Sequence, residues 1–421
     1  LLFNTTVNYN TAVGYQAGYD NTTGVIDALG ASALANNTTG NYNTALGGSS
    51  LFDNTTGSNN VAVGRNALEN NTTASNNTAM GYQAGHSNTT GEVTAVGYKS
   101  LEDNTTGAGN AAFGSFALNQ NTTGANNTAV GSYNLVTNKV AALYSNTTGN
   151  NNTAVSLRAL GSNTTGSNNA AFGYEALKSN TTASYNTALG YQALLNSTTA
   201  SSTTAVGYFA GYNATTPASN TFVGGESGYN VTTGNSNTFV GKDSGYYVTT
   251  GAKNTIVGKY NGNQNSLDIR TASNYIVLSD GDGNPRVRVT TAGTFIIPQT
   301  YNDTTGSGAN MHIDSSGVVR RSTSSLRYKN TVNDATHGLA ELLALRPVTY
   351  KGNNNGDTVF GGLIAEEVHD AGLTEFVEYN DDNEPDALAY GNMVSLCIKA
   401  IQEQQATITA LEARIAALES N

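Results

Sequence analysis

Cysteine, proline, tryptophan and charge are all scarce in this chain of 421 residues. The single cysteine, Cys397, excludes an intrachain disulfide, so stability must come from hydrogen-bond ladders, packing or association between chains. Only 5 prolines and no tryptophan occur, and charged residues make up 12% of the chain. No apolar run approaches the roughly 20 residues that span a bilayer, so we expect no membrane span.

The charge balance is acidic and uneven. The formal net charge of −11 excludes a nucleic-acid binder that relies on a basic surface. Residues 1–258 contain only 10 acidic and 7 basic residues, so amides, hydroxyls or attached sugars must keep this part in solution. The histidines are scattered without metal-ligand spacing, and we expect neither a metal nor another cofactor. They are His86, His312, His337 and His369.

A glycine that follows an apolar residue recurs along residues 1–258 with a spacing of 16 or 17, apart from one spacing of 25. Ser156 takes its place once. Fifteen repeats result, and each approximates N-T-A-V-G-Y-x-A-L-x-x-N-T-T-G-x-N. The glycines are Gly14, Gly30, Gly47, Gly64, Gly81, Gly97, Gly114, Gly131, Gly173, Gly190, Gly207, Gly224, Gly241 and Gly258.

The residue before this glycine is apolar in every repeat, and we predict that it forms a core row. The position four residues after the glycine is mostly Leu or Gly and predicts a second, half-buried row. Segments this short, broken by Gly and by Asn-Thr-Thr-Gly, indicate strands and turns. Such units bury a continuous core only by stacking, which predicts an all-β solenoid, a parallel β-roll or β-helix about 70 Å long.

Three stretches carry a family resemblance: NTAVGYQAG (10–18), NTAMGYQAG (77–85) and NTALGYQAL (186–194). They resemble the head repeats of trimeric autotransporter adhesins of the YadA type. The resemblance implies that residues 1–258 form a left-handed parallel β-roll that packs as a homotrimer. The repeat in this chain is a few residues longer, and Asn-Thr-Thr-Gly fills the additional turn.

One repeat is lengthened by eight residues around NKVAALYS (138–145). Two interpretations stay open, a loop that contacts a partner and a tolerated surface insertion. Beyond Gly258 the period stops, and residues 259–322 predict a β-rich neck of hairpins. Asp280 and Asp282 belong to a predicted turn in this neck, because no Glu follows at the distance that a calcium loop requires.

The C-terminal part carries a second resemblance. It rests on four blocks, which are TSSLRYKN (323–330), LLALRPVTYKGN (342–353), FGGLIAEEV (360–368) and the segment 388–420. In this order, the blocks resemble the S74 peptidase family, the C-terminal intramolecular chaperones of phage tail fibres and tailspikes. The resemblance implies a small α+β chaperone-like domain over residues 323–391 that trimerises the fibre and then cleaves itself off.

The family motif Ser-Asp-x-Arg-x-Lys maps onto residues 324–329. The resemblance makes Ser324 the nucleophile, Lys329 the general base and Arg327 the motif arginine. Ser325 stands where the family has Asp, which makes it a rival nucleophile. A serine needs a base to attack a peptide carbonyl, and a lysine is that base only when burial lowers its pKa. The chain is therefore at most a serine endopeptidase that acts once on itself, and the spacing alone equally fits an ordinary polar segment.

Residues 392–421 predict a helix with the heptad seam of a coiled coil. Gln404 is predicted to form a polar layer that fixes register, and Cys397 is predicted to be a core residue rather than a reactive thiol. Ile and Leu at these positions are typical of two strands, so a count of three rests on the resemblance. The seam residues are Val394, Ile401, Ile408 and Ile415 at one position, and Cys397, Gln404, Leu411 and Leu418 at the other.

Eleven Asn-Thr-Thr triplets, with one each of Asn-Ser-Thr, Asn-Ala-Thr and Asn-Val-Thr, are N-glycosylation sequons, and we interpret all fourteen as one position of the repeat. Two compatible interpretations stay open. The asparagines form an amide ladder that turns the chain, or an outward edge that carries N-linked glycans in a host able to attach them. They are Asn4, Asn21, Asn37, Asn54, Asn71, Asn88, Asn104, Asn121, Asn146, Asn163, Asn180, Asn196, Asn213 and Asn230.

We expect a structural subunit of an extracellular or virion-surface trimeric fibre. The alternative is an adhesin or receptor-binding fibre whose exposed aromatic row stacks on host-surface glycans; aromatic rungs that stack on each other are the competing interpretation. A glycosidase would need paired carboxylates, and no acidic residue recurs in phase along the repeats. The aromatic row is Tyr15, Tyr82, Tyr98, Tyr174, Tyr191 and Tyr208.

Overall fold

A computed structural model of the chain shows two compact units, Leu1–Thr304 and Thr305–Asn421. The first unit contains the repeats, and the second contains the C-terminal helices. The structure describes residues 8–133, 140–297, 311–313, 319–321, 331–353, 357–380 and 382–420.

The repeats form a parallel β-solenoid of about fifteen turns, which confirms the predicted all-β solenoid. Each repeat contributes one short strand that pairs in parallel with the strand of the next repeat; Ala62, for example, pairs with Ala45 and Ala79. The strands are β1 (Thr11–Val13), β2 (Ile26–Leu29), β3 (Asn43–Leu46), β4 (Val61–Val63), β5 (Thr78–Met80), β6 (Val93–Val96), β7 (Asn110–Phe113), β8 (Thr128–Val130), β9 (Thr153–Val155), β10 (Ala170–Phe172), β11 (Thr187–Leu189), β12 (Thr204–Val206), β13 (Thr221–Val223), β14 (Thr238–Val240) and β15 (Thr255–Val257).

The recurring glycine follows each strand because the backbone there has a positive φ and lies close to the next coil, which strongly favours glycine; Ser156, with φ of +108°, is the one exception among the repeats. Gly64 has a φ of +134°, and a Cβ placed on it would lie 2.5 Å from the carbonyl oxygen of Gly81 in the next coil. Two further residues of this coil, Asn66 and Leu68, also lie in the left-handed region, with φ of +60° and +52°. These backbone bends close the coil within one repeat.

The centre of each strand faces the interior, and the residue before the glycine faces outward. Ala62 is fully buried, whereas Val63 lies on the outer face. The prediction that the residue before the glycine forms a core row is therefore wrong, because successive strand residues point to opposite faces and the narrow coil admits alanine at its inner position. Leu68 and Leu118, four residues after the glycine, are fully rather than half buried.

Two ladders of buried asparagine side chains run through the core. In the first, Asn54 Nδ2 donates to Asn37 Oδ1 at 2.8 Å and to the carbonyl oxygen of Gly57 at 3.0 Å. In the second, Asn60 Oδ1 accepts the backbone N–H of Asn77 at 2.9 Å. These amides link one coil to the next and satisfy polar groups that are buried away from water.

The insertion begins earlier than the sequence pattern suggests. Ala142 takes the position of Ala117 in the preceding coil, since the backbone N–H of Leu118 donates to the carbonyl oxygen of Ala142 at 3.1 Å. The additional residues therefore fall between Tyr133 and Ala142. Most of them are residues 134–139, which lie outside the described residues, so both interpretations of the insertion stay open. Strand β8 pairs directly with β9, so the stack is continuous across the insertion.

The parallel stack extends one strand beyond residue 258 and then becomes antiparallel. Strand β18 pairs in parallel with β15 and antiparallel with β19, which pairs with β20. The strands are β16 (Asn263–Gln264), β17 (Leu267–Asp268), β18 (Ile276–Ser279), β19 (Pro285–Val289) and β20 (Phe295–Ile296).

Asp280 organises the turn between β18 and β19, which confirms the turn predicted there. Its Oδ1 accepts the backbone N–H groups of Asp282 at 3.0 Å and Asn284 at 2.9 Å, and its Oδ2 accepts the Arg286 guanidinium at 2.6 Å. Hydrogen bonds from Asn284, supported by Arg286, hold the pKa of the Asp280 carboxyl well below its usual range.

The described part of the second unit contains three antiparallel strand pairs, three α-helices and one 3-10 helix. Its core packs α2 and the strands near it against the start of α3 through Val368, Leu373, Phe376, Met393 and Leu396. The elements are β21 (Met311–Ile313), β22 (Val319–Arg321), α1 (Leu339–Ala344), β23 (Val348–Lys351), β24 (Val359–Gly362), α2 (Ala365–Asp370), a 3-10 helix (Thr374–Phe376), β25 (Val377–Tyr379), β26 (Pro385–Leu388) and α3 (Tyr390–Glu419).

Candidate functional site

An apolar row, with one side chain per coil, runs along the outer face of the parallel sheet. No member is buried, and Phe113, Leu29 and Leu189 are 42%, 47% and 48% exposed. Single exposed apolar residues are common on protein surfaces, but a continuous row of this length marks an interaction surface. The members are Val13, Leu29, Leu46, Val63, Met80, Val96, Phe113, Val130, Val155, Phe172, Leu189, Val206, Val223, Val240 and Val257.

A second column on the same outer face lies two residues earlier in each strand. It is mostly threonine, and Thr187, Thr204, Thr221 and Thr238 pair in register from β11 to β14. From residue 44 to residue 276 this column contains no charged residue. The outer face of the sheet is therefore regular and uncharged over most of its length, so covering it there takes no charged side chain of these two columns out of water.

Five of the six tyrosines in the aromatic row, all but Tyr15, stack on a neighbour. Ring centroids lie 5.5 Å apart for Tyr82 and Tyr98, 5.2 Å for Tyr174 and Tyr191, and 5.6 Å for Tyr191 and Tyr208, with planes within 20° of parallel. This confirms the interpretation of aromatic rungs. Because the rings cover each other's faces, edges and hydroxyls point outward, and a sugar ring finds an open face only at the ends of a stack.

Helix α3 presents two different faces. Met393, Leu396 and Ala400 are buried within the C-terminal unit. The predicted heptad seam lies outward, with Ile401 and Ile415 exposed by 62% and 54%. Cys397 is exposed within this single chain, so the prediction that it is a core residue does not hold for the chain alone. An apolar hollow of about 460 Å³, lined in part by Leu342, Met393, Val394 and Cys397, adjoins the first turns of α3.

The predicted sequons divide into two structural classes. Ten asparagines form the first core ladder and have no exposed surface: Asn21, Asn37, Asn54, Asn71, Asn88, Asn104, Asn121, Asn146, Asn163 and Asn180. The expectation that these residues face outward is wrong. The ladder position continues with Ser197, Ala214 and Val231, so Asn196, Asn213 and Asn230 stand one residue before it and are half-buried. Asn4 lies outside the described residues.

Five further sequons of the repeats are missed when only the repeat position of the Asn-Thr-Thr triplets is considered. Each is an Asn-Asn-Thr triplet whose first asparagine precedes a ladder asparagine, and a search for every Asn-x-Thr triplet would find it. All five asparagines are exposed or half-buried. They are Asn36, Asn70, Asn76, Asn126 and Asn151.

The candidate catalytic residues Ser324, Arg327 and Lys329, and the rival Ser325, lie outside the described residues. Self-cleavage therefore stays a prediction. Nearby in the sequence, His337 Nδ1 lies 2.6 Å from Glu375 Oε1, and this hydrogen bond raises the pKa of the exposed imidazole.

Within the described part of the chain, no group of three or more His, Cys, Asp or Glu side chains converges as a metal site would require. None of the described helices combines the length and apolar character of a bilayer span. Comparison with protein-family models, curated proteins and solved structures finds no match to this chain.

Proposed function

We propose that the chain is a structural subunit of a parallel homotrimeric fibre on the outside of a virion or cell, with the C-terminal unit as its assembly module. The observation that carries this proposal is the apolar row, which is unburied in every described coil of the single chain. Covering such a surface gains about 25 cal/mol for each Å² of apolar area removed from water.

A second copy of the chain is the partner that fits this surface best. The apolar row repeats once per coil, so only a partner with the same axial period meets it at every level. A rotation axis parallel to the solenoid brings equivalent residues to one level. Low charge favours close approach, because residues 1–258 contain only 10 acidic and 7 basic residues.

The outward seam of α3 supports the same arrangement. Ile401, Ile408 and Ile415 recur at heptad spacing and are exposed in the single chain. A parallel coiled coil of α3 would bury them. The number three comes from the two family resemblances, since Ile and Leu at these positions do not by themselves exclude two strands.

Light scattering on the full chain tests the proposal. We expect wild-type protein at micromolar concentration to have three times the 43.5 kDa of one chain. The variant Phe172→Asp/Leu189→Asp/Ile408→Asp should be monomeric, because a trimer would bury its new carboxylates at the row and the seam. Its strand signal in circular dichroism should be unchanged.

The matched control carries the same charges at exposed positions off these surfaces, in Thr165→Asp/Thr182→Asp/Ala406→Asp. It should remain trimeric. A monomeric wild-type chain would contradict the proposal, and so would a control that dissociates as readily as the row variant.

Host-glycan binding is the second candidate function, supported by exposed tyrosines such as Tyr15, which is 76% exposed. The mutual stacking of Tyr174, Tyr191 and Tyr208 favours a structural role for these rungs instead. A glycan-array screen of the wild type and of Tyr15→Ala separates the two roles. Binding that disappears in the variant supports an adhesin, and no binding by the wild type supports a purely structural fibre.

Self-cleavage by the C-terminal unit is part of the proposal and rests on the S74 resemblance. Full-length chain incubated after assembly should release a C-terminal fragment, and Ser324→Ala should remain uncut. Ser325→Ala is the matched control, since that residue is the rival nucleophile. Cutting that continues in Ser324→Ala and stops in Ser325→Ala would reassign the nucleophile.

A further inference from the structure

We propose that the solenoid accepts N-linked glycans at eight outward-facing asparagines and at none of the ten buried ladder asparagines. The inference rests on burial within one chain and does not depend on the proposed trimer. The eight acceptors are Asn36, Asn70, Asn76, Asn126, Asn151, Asn196, Asn213 and Asn230.

The chemistry of glycan transfer sets the requirement. An oligosaccharyltransferase joins the asparagine Nδ2 to C1 of N-acetylglucosamine, while the bond from C1 to the lipid pyrophosphate donor breaks. One amide hydrogen leaves as a proton, so the glycosylated side chain retains a single N–H. An acceptor must therefore have an amide hydrogen that the fold does not need, and an open path for the sugar.

The ladder asparagines from Asn37 to Asn180 fail both requirements, and Asn21 fails the second because it is fully buried. Asn121 Nδ2 donates one N–H to Asn104 Oδ1 at 2.7 Å and the other to the carbonyl oxygen of Gly124 at 2.9 Å. From Asn37 to Asn180, each ladder amide makes the same two bonds. A sugar at such a nitrogen would break one bond and force open the core, so a chain glycosylated there cannot close its coil.

Asn196, Asn213 and Asn230 meet the first requirement. Asn196 Nδ2 donates to Asn213 Oδ1 at 3.1 Å, Asn213 Nδ2 donates to Asn230 Oδ1 at 3.3 Å, and Asn230 Nδ2 donates to the carbonyl oxygen of Tyr246 at 3.0 Å. Within the described residues each nitrogen makes this one bond and retains a second N–H. Glycosylation can replace that hydrogen while the existing bond is kept.

Asn76, Asn126 and Asn151 are the most open acceptors. Each is exposed and sits at a bend with φ of +64°, +57° and +55°, one residue before an asparagine of the second ladder. Their Nδ2 atoms have no hydrogen-bond partner among the described residues. The backbone bend directs the sequon asparagine outward while its middle residue points into the core, so a single triplet serves both the surface and the core.

Glycopeptide mapping of the full chain secreted from a glycosylating eukaryotic cell tests the proposal. Enzymatic release of the glycans in ¹⁸O water converts each occupied asparagine to labelled aspartate. We expect label at the eight outward asparagines in soluble, folded protein and no label at the ladder. Label at the ladder should be confined to aggregated or retained chains, which are collected and mapped in parallel.

Matched variants sharpen the result. Asn76→Asp/Asn126→Asp/Asn151→Asp keeps a residue type that tolerates the left-handed backbone and should lose three glycans without loss of thermal stability, whereas Asn54→Gln should lose stability and no glycan from the folded pool. Folded, soluble chains with label at Asn54 or another ladder asparagine would overturn the proposal. Secreted, folded chains without label at Asn76, Asn126 and Asn151 would also overturn it.

Discussion

The coils built on β1–β12 and those built on β13–β15 fill one backbone with opposite size patterns. In the earlier coils the strand centre is alanine and the buried left-handed position is mostly leucine, as in Ala62 and Leu68. In the later coils the centre is large and the left-handed position is glycine, as in Phe222 and Gly228. A Cβ placed on Gly228 would lie 2.5 Å from the Phe222 ring. The coil therefore fixes the core volume. When the side chain at the strand centre is large, the side chain at the left-handed position is small, and the reverse holds in the earlier coils.

The first amide ladder ends in the coil of β10, before this change in the size pattern. The first ladder ends at Asn180, and its position continues as Ser197, Ala214, Val231 and Val248. Asn180 Oδ1 and Ser197 Oγ are buried and have no hydrogen-bond partner among the described residues. A hydrogen-bonded amide ladder and an apolar stack are thus alternative ways to support the same turn, and the junction between them leaves polar atoms unpaired.

Breaking the amide ladder should have the largest effect. Asn121→Val copies the later coils, but it removes one hydrogen bond each from Asn104 Oδ1, the carbonyl oxygen of Gly124 and an N–H of Asn146. We expect a loss of about 3 kcal/mol in the free energy of unfolding, measured by chemical denaturation. The exposed Thr123→Val, at a position outside the left-handed region, serves as control and should change stability little; an equally small effect of Asn121→Val would contradict the ladder.

Transplanting leucine into the later coils should be the next most damaging change. Gly228→Leu collides with the Phe222 ring, and we expect a loss of about 2 kcal/mol with faster hydrogen exchange in β13 and β14. Adding Phe222→Ala restores the size pattern of the earlier coils. The double variant should be more stable than the sum of the two single changes predicts, and simple additivity would refute the exchange of bulk.

The apolar end of the solenoid should weaken at high pH. The buried Tyr260 hydroxyl donates to the carbonyl oxygen of Leu267 at 2.7 Å, and burial raises its pKa above the ordinary value of 10.0. The unfolded chain loses this proton first, so the stabilisation is present below pH 10 and declines as pH rises further. Tyr260→Phe should cost about 1 kcal/mol at pH 7 and flatten this decline in thermal denaturation. An unchanged slope above pH 10 would exclude Tyr260 as its source.

Extending the ladder by one rung should give the smallest effect, and a favourable one. In Ser197→Asn the new amide can donate to Asn180 Oδ1, which is unpaired at present. We expect a gain of up to about 1 kcal/mol in the free energy of unfolding. Ser197→Ala is the control, since it removes the unpaired hydroxyl without adding a donor. If Ser197→Asn is less stable than this alanine control, the ladder ends for steric reasons.

The sequence carries the period and the strand positions, but it does not reveal which strand residue faces inward. Val63 varies in size among repeats as core residues often do, whereas Ala62 is nearly constant because the narrow interior admits little else. One signal for the inward-facing strand residue is present in the sequence: where it changes from alanine to Phe222, the position six residues later is Gly228 instead of leucine. Whether a sequon asparagine is buried in the ladder or lies outside it depends on its position within the coil. Asn196 stands one residue before the ladder position, and a search for triplets alone does not register that difference.

Cysteine cross-linking between copies tests the central claim, that the apolar row is a parallel interface, most directly. Val206→Cys in a Cys397→Ser background places one thiol on the row, and Thr199→Cys in the same background places one at an exposed position elsewhere on the coil. After mild oxidation we expect chains joined at residue 206 to migrate at twice the single-chain mass, with no joining at residue 199. Val206→Cys chains that remain single, or that join no more than the residue 199 control, would contradict the account.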